Sequence, residues 1–319
     1  MKRLLQVTDL KVTFKTLEAV RGVNFSMYEG EVLGIVGESG SGKSALAKAL
    51  VKLHPSYYTQ MSGQILYQET DLMAMTEREL QKVRGKEIGM IFQDPMTSLN
   101  PTATVQDQIL EGYLRHFPHV NKAAAHAYAI EMLHLVGIPE PELRMKQYPH
   151  MLSGGLRQRV MIAIALASKP KLLIADEPTT ALDVTIQAQI LDLLKKIQRE
   201  TQTGILLITH DLSVVASFCD RVLVMYAGKI IEEAPIEKLF SHPEHPYTQG
   251  LLRAIPRLDL AKDQPLIPII GTPPDLSYPV TGCSFCPRCP VAMNICTQES
   301  PPDFENKSAC WRHDPRRAP

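Results

Sequence analysis

The chain has 319 residues, of which 45% are hydrophobic, enough to fill the core of one large domain or two ordinary ones. Lys plus Arg and Asp plus Glu are equal at 34 each, so the chain has no net positive charge that would attract nucleic acid or anionic lipid. The start, MKRLLQVTDLKVTF, breaks its apolar positions with Asp9 and Lys11, and the longest apolar runs fall well short of the roughly 20 residues that span a bilayer. We therefore expect a globular protein without an export signal or a membrane span, and no binding to nucleic acid.

The predicted elements begin with two β-rich stretches. LLQVTDLKVTF alternates, and EVLGIVG is an apolar run that stops at glycine. Residues 44–53 predict a helix, residues 104–170 have helical periodicity, and KLLIADEP and GILLITH are typical of buried parallel strands. After about residue 240, proline-rich connections such as HPEHP and GTPPD replace regular patterns. The order predicts an α/β domain with a helical insert, followed by a small appended unit.

A glycine-rich loop lies between the predicted strand EVLGIVG and the first predicted helix. Its sequence, GESGSGKS, matches G-x-x-x-x-G-K-[ST], a pattern whose backbone N–H groups and helix N-terminus bind phosphate. Lys43 is predicted to reach the outer phosphates and the Ser44 hydroxyl to ligate Mg²⁺. A glycine turn with a surface lysine is the alternative, which the preceding strand and following helix disfavour. The predicted phosphate-binding residues are Gly37, Glu38, Ser39, Gly40, Ser41, Gly42, Lys43 and Ser44.

Two adjacent acids end the strand predicted in KLLIADE. Asp176 can hold Mg²⁺ through water, and Glu177 can polarise an attacking water. A pair of solvated acids is the alternative, and the loop upstream makes the catalytic interpretation the better one. His210 closes GILLITH and Gln93 follows the apolar run in MIFQDP, but neither indicates a function on its own.

A further motif, LSGGLRQRV at residues 152–160, completes a set in fixed order with GESGSGKS, IFQDP, LLIADE and LLITHD. This set resembles the ATPase subunit of an ABC transporter, and the resemblance covers nearly the whole chain. It implies an α/β fold, a P-loop NTPase cassette with a RecA-like core, an N-terminal antiparallel β part and an α-helical subdomain at about 95–168. The implied cassette covers residues 1–240, and a small irregular C-terminal extension covers 241–319.

The resemblance also implies individual roles within one ATP site. Gln93 would be the Q-loop glutamine that senses Mg²⁺ and the attacking water, and His210 the switch histidine that contacts the γ-phosphate. Phe14 is similar to the aromatic residue that stacks on adenine, with Val20 beside it. The implied catalytic residues are Glu177, His210 and Gln93, and the implied Mg²⁺ ligands are Ser44, Gln93 and Asp176.

The implied ATP site is shared between two subunits. Ser153, Gly154 and Gly155 of the signature would touch the γ-phosphate bound by the partner, and Asp183 would be the D-loop aspartate that acts across the dimer. Leu156 replaces the commonest glutamine of the signature, while the phosphate-contacting residues are intact.

A narrower resemblance follows the cassette. HPYTQGLLRAIP at residues 245–256 and GCSFCPRCPVAMNIC at 282–296 resemble the C-terminal extension of dipeptide and oligopeptide importers. This implies ATP-driven peptide import with a second, similar ATPase chain in a heterodimer, two membrane permeases and an external peptide-binding protein. The chain would lie peripherally on the cytoplasmic face of the inner membrane, and residues 94–115 are expected to contact the permeases.

Other classes of function fit the sequence less well. A soluble ABC ATPase acting on ribosomes or DNA is disfavoured by the single cassette and by the short separation of Ser44 and Leu172. A redox protein regulated by its cassette, an exporter, and an importer of another solute such as nickel are the remaining alternatives.

Five of the six cysteines lie in the last 37 residues. Zinc, an iron–sulfur cluster and simple filling of apolar gaps are all compatible with that group, although a C-x₂-C-x₂-C run with a remote fourth ligand favours iron–sulfur. The resemblance implies C-x₅-C-x₆-C plus a later cysteine, some relatives holding a [4Fe–4S] cluster there. That pattern leaves Cys286 without a role and selects Cys283, Cys289, Cys296 and Cys310.

Overall fold

A computed structural model describes residues 2–180, 182–254, 268–304 and 308–316 of the protein. The helical unit contains the described residues within 1–4, 27–31 and 74–208, and the P-loop unit contains those within 5–26, 32–73 and 209–319. This division differs from the domain boundary predicted near residue 240, which stays a prediction. One residue of the motif TTALDVT and the last two of HPYTQGLLRAIP lie outside the described residues.

The described residues contain ten strands. They are β1 Arg3–Phe14, β2 Leu17–Tyr28, β3 Val32–Val36, β4 Thr59–Tyr67, β5 Thr70–Asp71, β6 Ile88–Ile91, β7 Leu172–Asp176, β8 Gly204–Thr209, β9 Arg221–Tyr226 and β10 Lys229–Pro235.

The α-helices of the described residues number twelve. They are α1 Lys43–Leu50, α2 Glu77–Val83, α3 Pro95–Ser98, α4 Val105–His116, α5 Lys122–Leu135, α6 Pro141–Arg144, α7 Gly154–Leu166, α8 Val184–Thr201, α9 Leu212–Phe218, α10 Ile236–Ser241, α11 Pro246–Arg253 and α12 Asn294–Gln298.

The P-loop unit contains an antiparallel sheet in the order β2-β1-β4-β5. The alternating pattern predicted for β1 is present, with Val7, Leu10 and Val12 buried. A bulge between Thr8 and Lys11 shifts its register with β4. In the same unit β3 pairs in parallel with β9, whose other neighbour is the antiparallel β10. Every residue of β3 is buried, as expected of a strand covered on both faces.

The helical unit contains the parallel strands β6, β7 and β8 in adjacent positions. All residues of β7 and β8 are buried, in agreement with their continuous apolar sequences. Helices α3 to α7 lie between β6 and β7, and α4 to α7 fall within residues 104–170, where the sequence has helical periodicity. None of the helices in the described part of the chain combines the length and the hydropathy needed to cross a membrane.

Candidate functional site

The loop at residues 37–44 connects the buried strand β3 to helix α1 in the P-loop unit. Gly42, the residue before the helix, has a φ of +103°, which L side chains rarely adopt. A Cβ at this position would also lie 2.3 Å from the carbonyl oxygen of Ala19. The close approach of β2 therefore requires glycine here, at the turn that leads into the N-terminus of α1.

Lys43 is held inside this loop. Its side chain is buried, at 5% exposure, and its Nζ donates to the carbonyl oxygens of Gly37 and Glu38 over 2.8 and 2.9 Å. A buried ammonium needs such partners, because desolvation otherwise costs free energy. The loop carbonyls therefore fix a cation at the N-terminus of α1, an arrangement that suits a multiply charged phosphate.

The predicted acids lie at the end of β7 in the helical unit. Asp176 is buried at 2% exposure, and Glu177, which follows it, takes a left-handed φ of 49°. Its N–H donates to the carbonyl oxygen of Ile208 over 2.9 Å, which ties the strained residue to the end of β8. Strained backbone of this kind persists only where the surrounding structure maintains it, and it is common at functional sites.

The structure brings the predicted Gln93 to the predicted Glu177. Gln93 Nε2 donates to Glu177 Oε2 over 2.9 Å, and Thr180 Oγ1 donates to the same oxygen over 2.8 Å. Sequence reasoning did not identify Thr180, although its position three residues after an acid that ends a strand is compatible with such a hydrogen bond. The two donors fix the orientation of the carboxylate.

The residues predicted to form the signature and the D-loop also belong to the helical unit. Ser153 caps α7, its Oγ accepting from the Leu156 amide over 3.4 Å, and Asp183 caps α8, its Oδ1 accepting from the Ile186 amide over 2.9 Å. A Cβ at Gly155 would lie 3.2 Å from Ile186, so the start of α7 packs against the first turn of α8. Gly154 has open space around it, which leaves the α7 N-terminus accessible to an anion.

The remaining predicted ATP-site residues belong to the P-loop unit. His210 is exposed just after β8, and the following Asp211 caps α9 through the Ser213 amide. Phe14 is half-buried and presents an edge-to-face contact to His54 at a centroid distance of 4.9 Å. Val20 is buried in β2 at 1% exposure.

A small cavity in the P-loop unit is lined by all five C-terminal cysteines. The thiols are free rather than paired in disulfides, and Cys296 and Cys310 are buried. Burial raises the pKa of Cys283 to about 11 and also raises the pKa values of Cys286, Cys289 and Cys310. Cys286 lines the same cavity as the four predicted ligands, so its position does not separate it from them.

The arrangement of these thiols does not by itself define a metal centre. Within the described ranges, no group of three or more His, Cys, Asp or Glu side chains is placed to hold a metal ion. Cys283 and Cys296 are nevertheless neighbours through the backbone, since the Cys283 N–H donates to the Cys296 carbonyl over 2.8 Å.

Comparison with known families gives two matches. Residues 20–180 match the ABC transporter family, and residues 231–296 match the C-terminal region of oligopeptide and dipeptide transporters. The protein therefore belongs to the ABC transporter family, as an ATP-binding cassette with the C-terminal region of the peptide-transporter group. The family predicted from the sequence motifs is confirmed.

Individual relatives agree with this assignment. The chain is 54% identical to the oligopeptide transport ATP-binding protein OppD of Bacillus subtilis (strain 168), over 95% of this chain and 86% of the relative. It is 51% identical to the dipeptide transport ATP-binding protein DppD of the same organism, over 99% of this chain and 96% of the relative.

A solved structure confirms the predicted fold class. It is an ATP-binding cassette dimer in a post-hydrolysis state, bound to ADP and phosphate, and it shares 29% identity with this chain. The similarity covers 73% of this chain and 99% of that one, with a TM-score of 0.67.

Proposed function

We propose that the protein is the ATP-hydrolysing subunit of a transporter that imports dipeptides or oligopeptides. The observation that carries the proposal is the match of residues 231–296 to the C-terminal region of peptide transporters, which follows a complete cassette in the same chain. The OppD and DppD relatives, similar over nearly the full chain, support the same substrate class.

In the P-loop unit, the amides of residues 37–44 and the Lys43 ammonium would bind the phosphates of ATP. Phe14 and Val20 would contact the adenine, and His210 would contact the γ-phosphate. Ser44 offers a hydroxyl oxygen to Mg²⁺. The donors fit that metal, because Mg²⁺ prefers oxygen ligands and is bound together with nucleotide phosphates.

In the helical unit, Asp176 and Gln93 supply a carboxylate and an amide oxygen of the same hard type for Mg²⁺. Glu177 would act as the general base on the attacking water. Its carboxylate is already oriented by hydrogen bonds from Gln93 and Thr180. Orientation of this kind reduces the reorganisation that the base must undergo during reaction.

The second half of each ATP site would come from a partner cassette. The start of α7, with Ser153, Gly154 and Gly155, would bind the γ-phosphate of the partner's nucleotide through its N-terminal amides. Asp183 would act across the same interface. The partner is a second, homologous ATPase chain, and ATP binding would close the two cassettes on each other.

Movement would pass to two membrane permeases through residues 94–115, directly after Gln93. Helix α3 lies in this stretch, and its Met96 is 63% exposed, so an apolar side chain is available there for contact with a partner. The chain would then be peripheral to the cytoplasmic face of the inner membrane, and an extracytoplasmic binding protein would deliver the peptide. Phosphate-sensing loops that adjoin a docking surface couple hydrolysis to motion.

The cysteine cavity is proposed to hold a [4Fe–4S] cluster through Cys283, Cys289, Cys296 and Cys310. The donor chemistry fits, because iron–sulfur clusters are bound by cysteine thiolates and five thiols line one cavity. Burial raises the pKa values of Cys283, Cys289 and Cys310, so these three thiols stay protonated until a cation displaces the proton. Zinc or no metal are the alternative outcomes. The role of the cluster would be structural or regulatory, since ATP hydrolysis transfers no electron.

The proposal is tested by uptake of a labelled dipeptide and a labelled oligopeptide in whole cells with and without this gene. Loss of peptide uptake on deletion, with restoration by the wild-type gene, is the expected result. Unchanged peptide uptake together with a loss of nickel uptake would show that the chain powers nickel import instead. The absence of any transport defect would reject the transport role.

A further inference from the structure

An ion pair joins the P-loop, residues 37–44, to residues 282–296, here called the cysteine segment. The carboxylate of Glu38, second residue of the loop, receives two hydrogen bonds from the Arg288 guanidinium, Nη1 to Oε2 at 2.6 Å and Nη2 to Oε1 at 2.9 Å. Arg288 lies between Cys286 and Cys289, 250 residues further along the chain. Paired bonds of this type fix orientation as well as position.

Arg288 is itself held firmly. Its side chain is 3% exposed, its guanidinium lies over the Tyr226 ring at 5.8 Å, and it donates to the carbonyl oxygens of Ile269 and Ile270, each over 3.2 Å. The hydrogen bonds that Arg288 donates to the Glu38 carboxylate are the main reason that the pKa of Arg288 is raised. These contacts hold the planar guanidinium in one orientation, which suits its paired hydrogen bonds to the Glu38 carboxylate.

The backbone of Glu38 is restrained by a second residue of the C-terminal region. The Glu38 N–H donates to the hydroxyl of Tyr247 over 2.9 Å, and Tyr247 is completely buried. Burial raises the pKa of Tyr247, so the hydroxyl remains neutral. The carbonyl of the same Glu38 accepts the hydrogen bond from Lys43 Nζ. The residue that helps to orient the phosphate-binding lysine is thus held at both its side chain and its backbone.

The cysteine segment also contacts the tyrosines of this region through Phe285. Its ring, 2% exposed, packs edge-to-face on Tyr226 at 5.3 Å and on Tyr247 at 5.4 Å. Phe285 and the cysteines line the same cavity. A change in the packing of the cavity would therefore reach the two tyrosines that contact Arg288 and Glu38.

We propose that Arg288 is a positioning residue for nucleotide binding, which acts through Glu38 to hold the P-loop in its binding conformation and makes ATP affinity depend on the folded cysteine segment. The inference rests on the proposed ATP site at residues 37–44. It adds a restraint from outside the cassette motifs, supplied by the C-terminal region itself.

The test is titration of the full chain with a fluorescent ATP analogue and Mg²⁺, using Arg288→Ala, Arg288→Lys, Glu38→Ala and the Arg288→Ala/Glu38→Ala double variant. Arg288→Ala and Glu38→Ala should each raise the Kd by a factor of roughly five to ten, the range expected for directly coupled residues. The double variant should bind no more weakly than either single variant. Arg288→Lys, which keeps the charge but not the paired geometry, should fall between Arg288→Ala and the wild type. In steady-state ATPase assays of Arg288→Ala, the KM for ATP should rise while kcat stays near the wild-type value.

Arg316→Ala is the matched control. Arg316 also makes a two-bond ion pair, with Asp314 in the same C-terminal region, but its side chain is 78% exposed and contacts no P-loop residue in the described chain. Its Kd should equal that of the wild type.

An unchanged Kd in Arg288→Ala, or independent effects that multiply in the double variant, would overturn the inference. If Arg288→Ala fails to fold, Glu38→Ala decides the matter, because an unaltered affinity there excludes action through the ion pair. A wild-type chain that binds no ATP would instead reject the proposed ATP site, so the two failures are distinguishable.

Discussion

Gln93 donates a hydrogen bond from Nε2 to Oε2 of Glu177 over 2.9 Å, although 84 residues separate the two in the chain. Gln93 follows β6 and Glu177 follows β7, and these strands pair in parallel, so their carboxyl ends meet at one edge of the sheet. The side-chain amide of Gln93 therefore contacts the carboxylate of Glu177 directly. A loop that leaves Gln93 towards helix α3 connects the predicted base to the surface proposed for permease contact.

Glu177→Gln should retain ATP binding and lose hydrolysis by a factor of about 100 or more, the typical contribution of general-base catalysis. The amide is nearly isosteric, so the nucleotide is still bound and the closed dimer should accumulate. Steady-state ATPase rates and size-exclusion chromatography with ATP measure both effects. Glu200→Gln, on the surface of α8, is the control and should behave as wild type. Hydrolysis near the wild-type rate in Glu177→Gln would place the base elsewhere.

Lys43→Ala should fail earlier, at nucleotide binding, because it removes the buried ammonium held by the loop carbonyls. A charge-assisted contact to phosphate contributes more than a neutral hydrogen bond, so affinity should fall by at least about tenfold. Isothermal titration with ATP and Mg²⁺ measures it. Lys48→Ala removes an exposed lysine from the same helix and should leave the affinity unchanged. Equal affinities in Lys43→Ala and the wild type would contradict the P-loop assignment.

Anaerobic purification should yield a brown protein with roughly four irons per chain, the number set by a [4Fe–4S] cluster. Cys310→Ser should be colourless because it removes a proposed ligand, whereas Cys286→Ser should keep the colour. Iron analysis and the visible absorption spectrum measure both. A colourless wild type with one zinc, or a brown Cys310→Ser beside a colourless Cys286→Ser, would contradict the ligand assignment.

His245 should make the protein less stable in mild acid. Burial lowers its pKa to about 3, with a smaller contribution from His313, and its ring Nδ1 accepts a hydrogen bond from the Tyr247 amide. Below about pH 6.5 this histidine binds a proton in the unfolded chain but stays neutral in the folded chain. The free energy of unfolding therefore falls between about pH 6.5 and 3, by up to about 1.4 kcal/mol per pH unit.

Thermal unfolding midpoints at pH 7.5 and 5.0 test this effect in the wild type and in His245→Asn. Asparagine retains an acceptor for the start of α11 but does not titrate. The variant should lose less thermal stability than the wild type on acidification. Equal losses in both proteins would show that His245 does not cause the pH dependence.

The parts of the fold that depend on local sequence were predictable. The buried strands β3, β7 and β8 are continuous apolar runs, and the glycine loop before α1 has a pattern that only a phosphate-binding turn requires. Gln93 was recognised only through resemblance, because a glutamine after a short apolar run carries no local signal. Its contact with Glu177 depends on strand pairing across 84 residues.

The contacts of the C-terminal region were less accessible to sequence reasoning. The spacing of the cysteines favoured metal binding, but it could not show that Cys286 lines the same cavity as the other four. The Arg288–Glu38 pair was missed for the same reason, since an arginine among cysteines and a glutamate in a P-loop indicate no partner for each other. Long-range ion pairs follow from tertiary packing rather than from propensity or periodicity.

ATP-driven peptide import is tested most directly by uptake of a labelled oligopeptide in cells in which the gene is replaced by the wild-type, Glu177→Gln or Glu200→Gln allele, at matched protein levels. Uptake should be normal with the wild type and Glu200→Gln, and it should not exceed the deletion background with Glu177→Gln. Normal peptide uptake driven by the Glu177→Gln chain would contradict the claim that ATP hydrolysis by this protein powers peptide import.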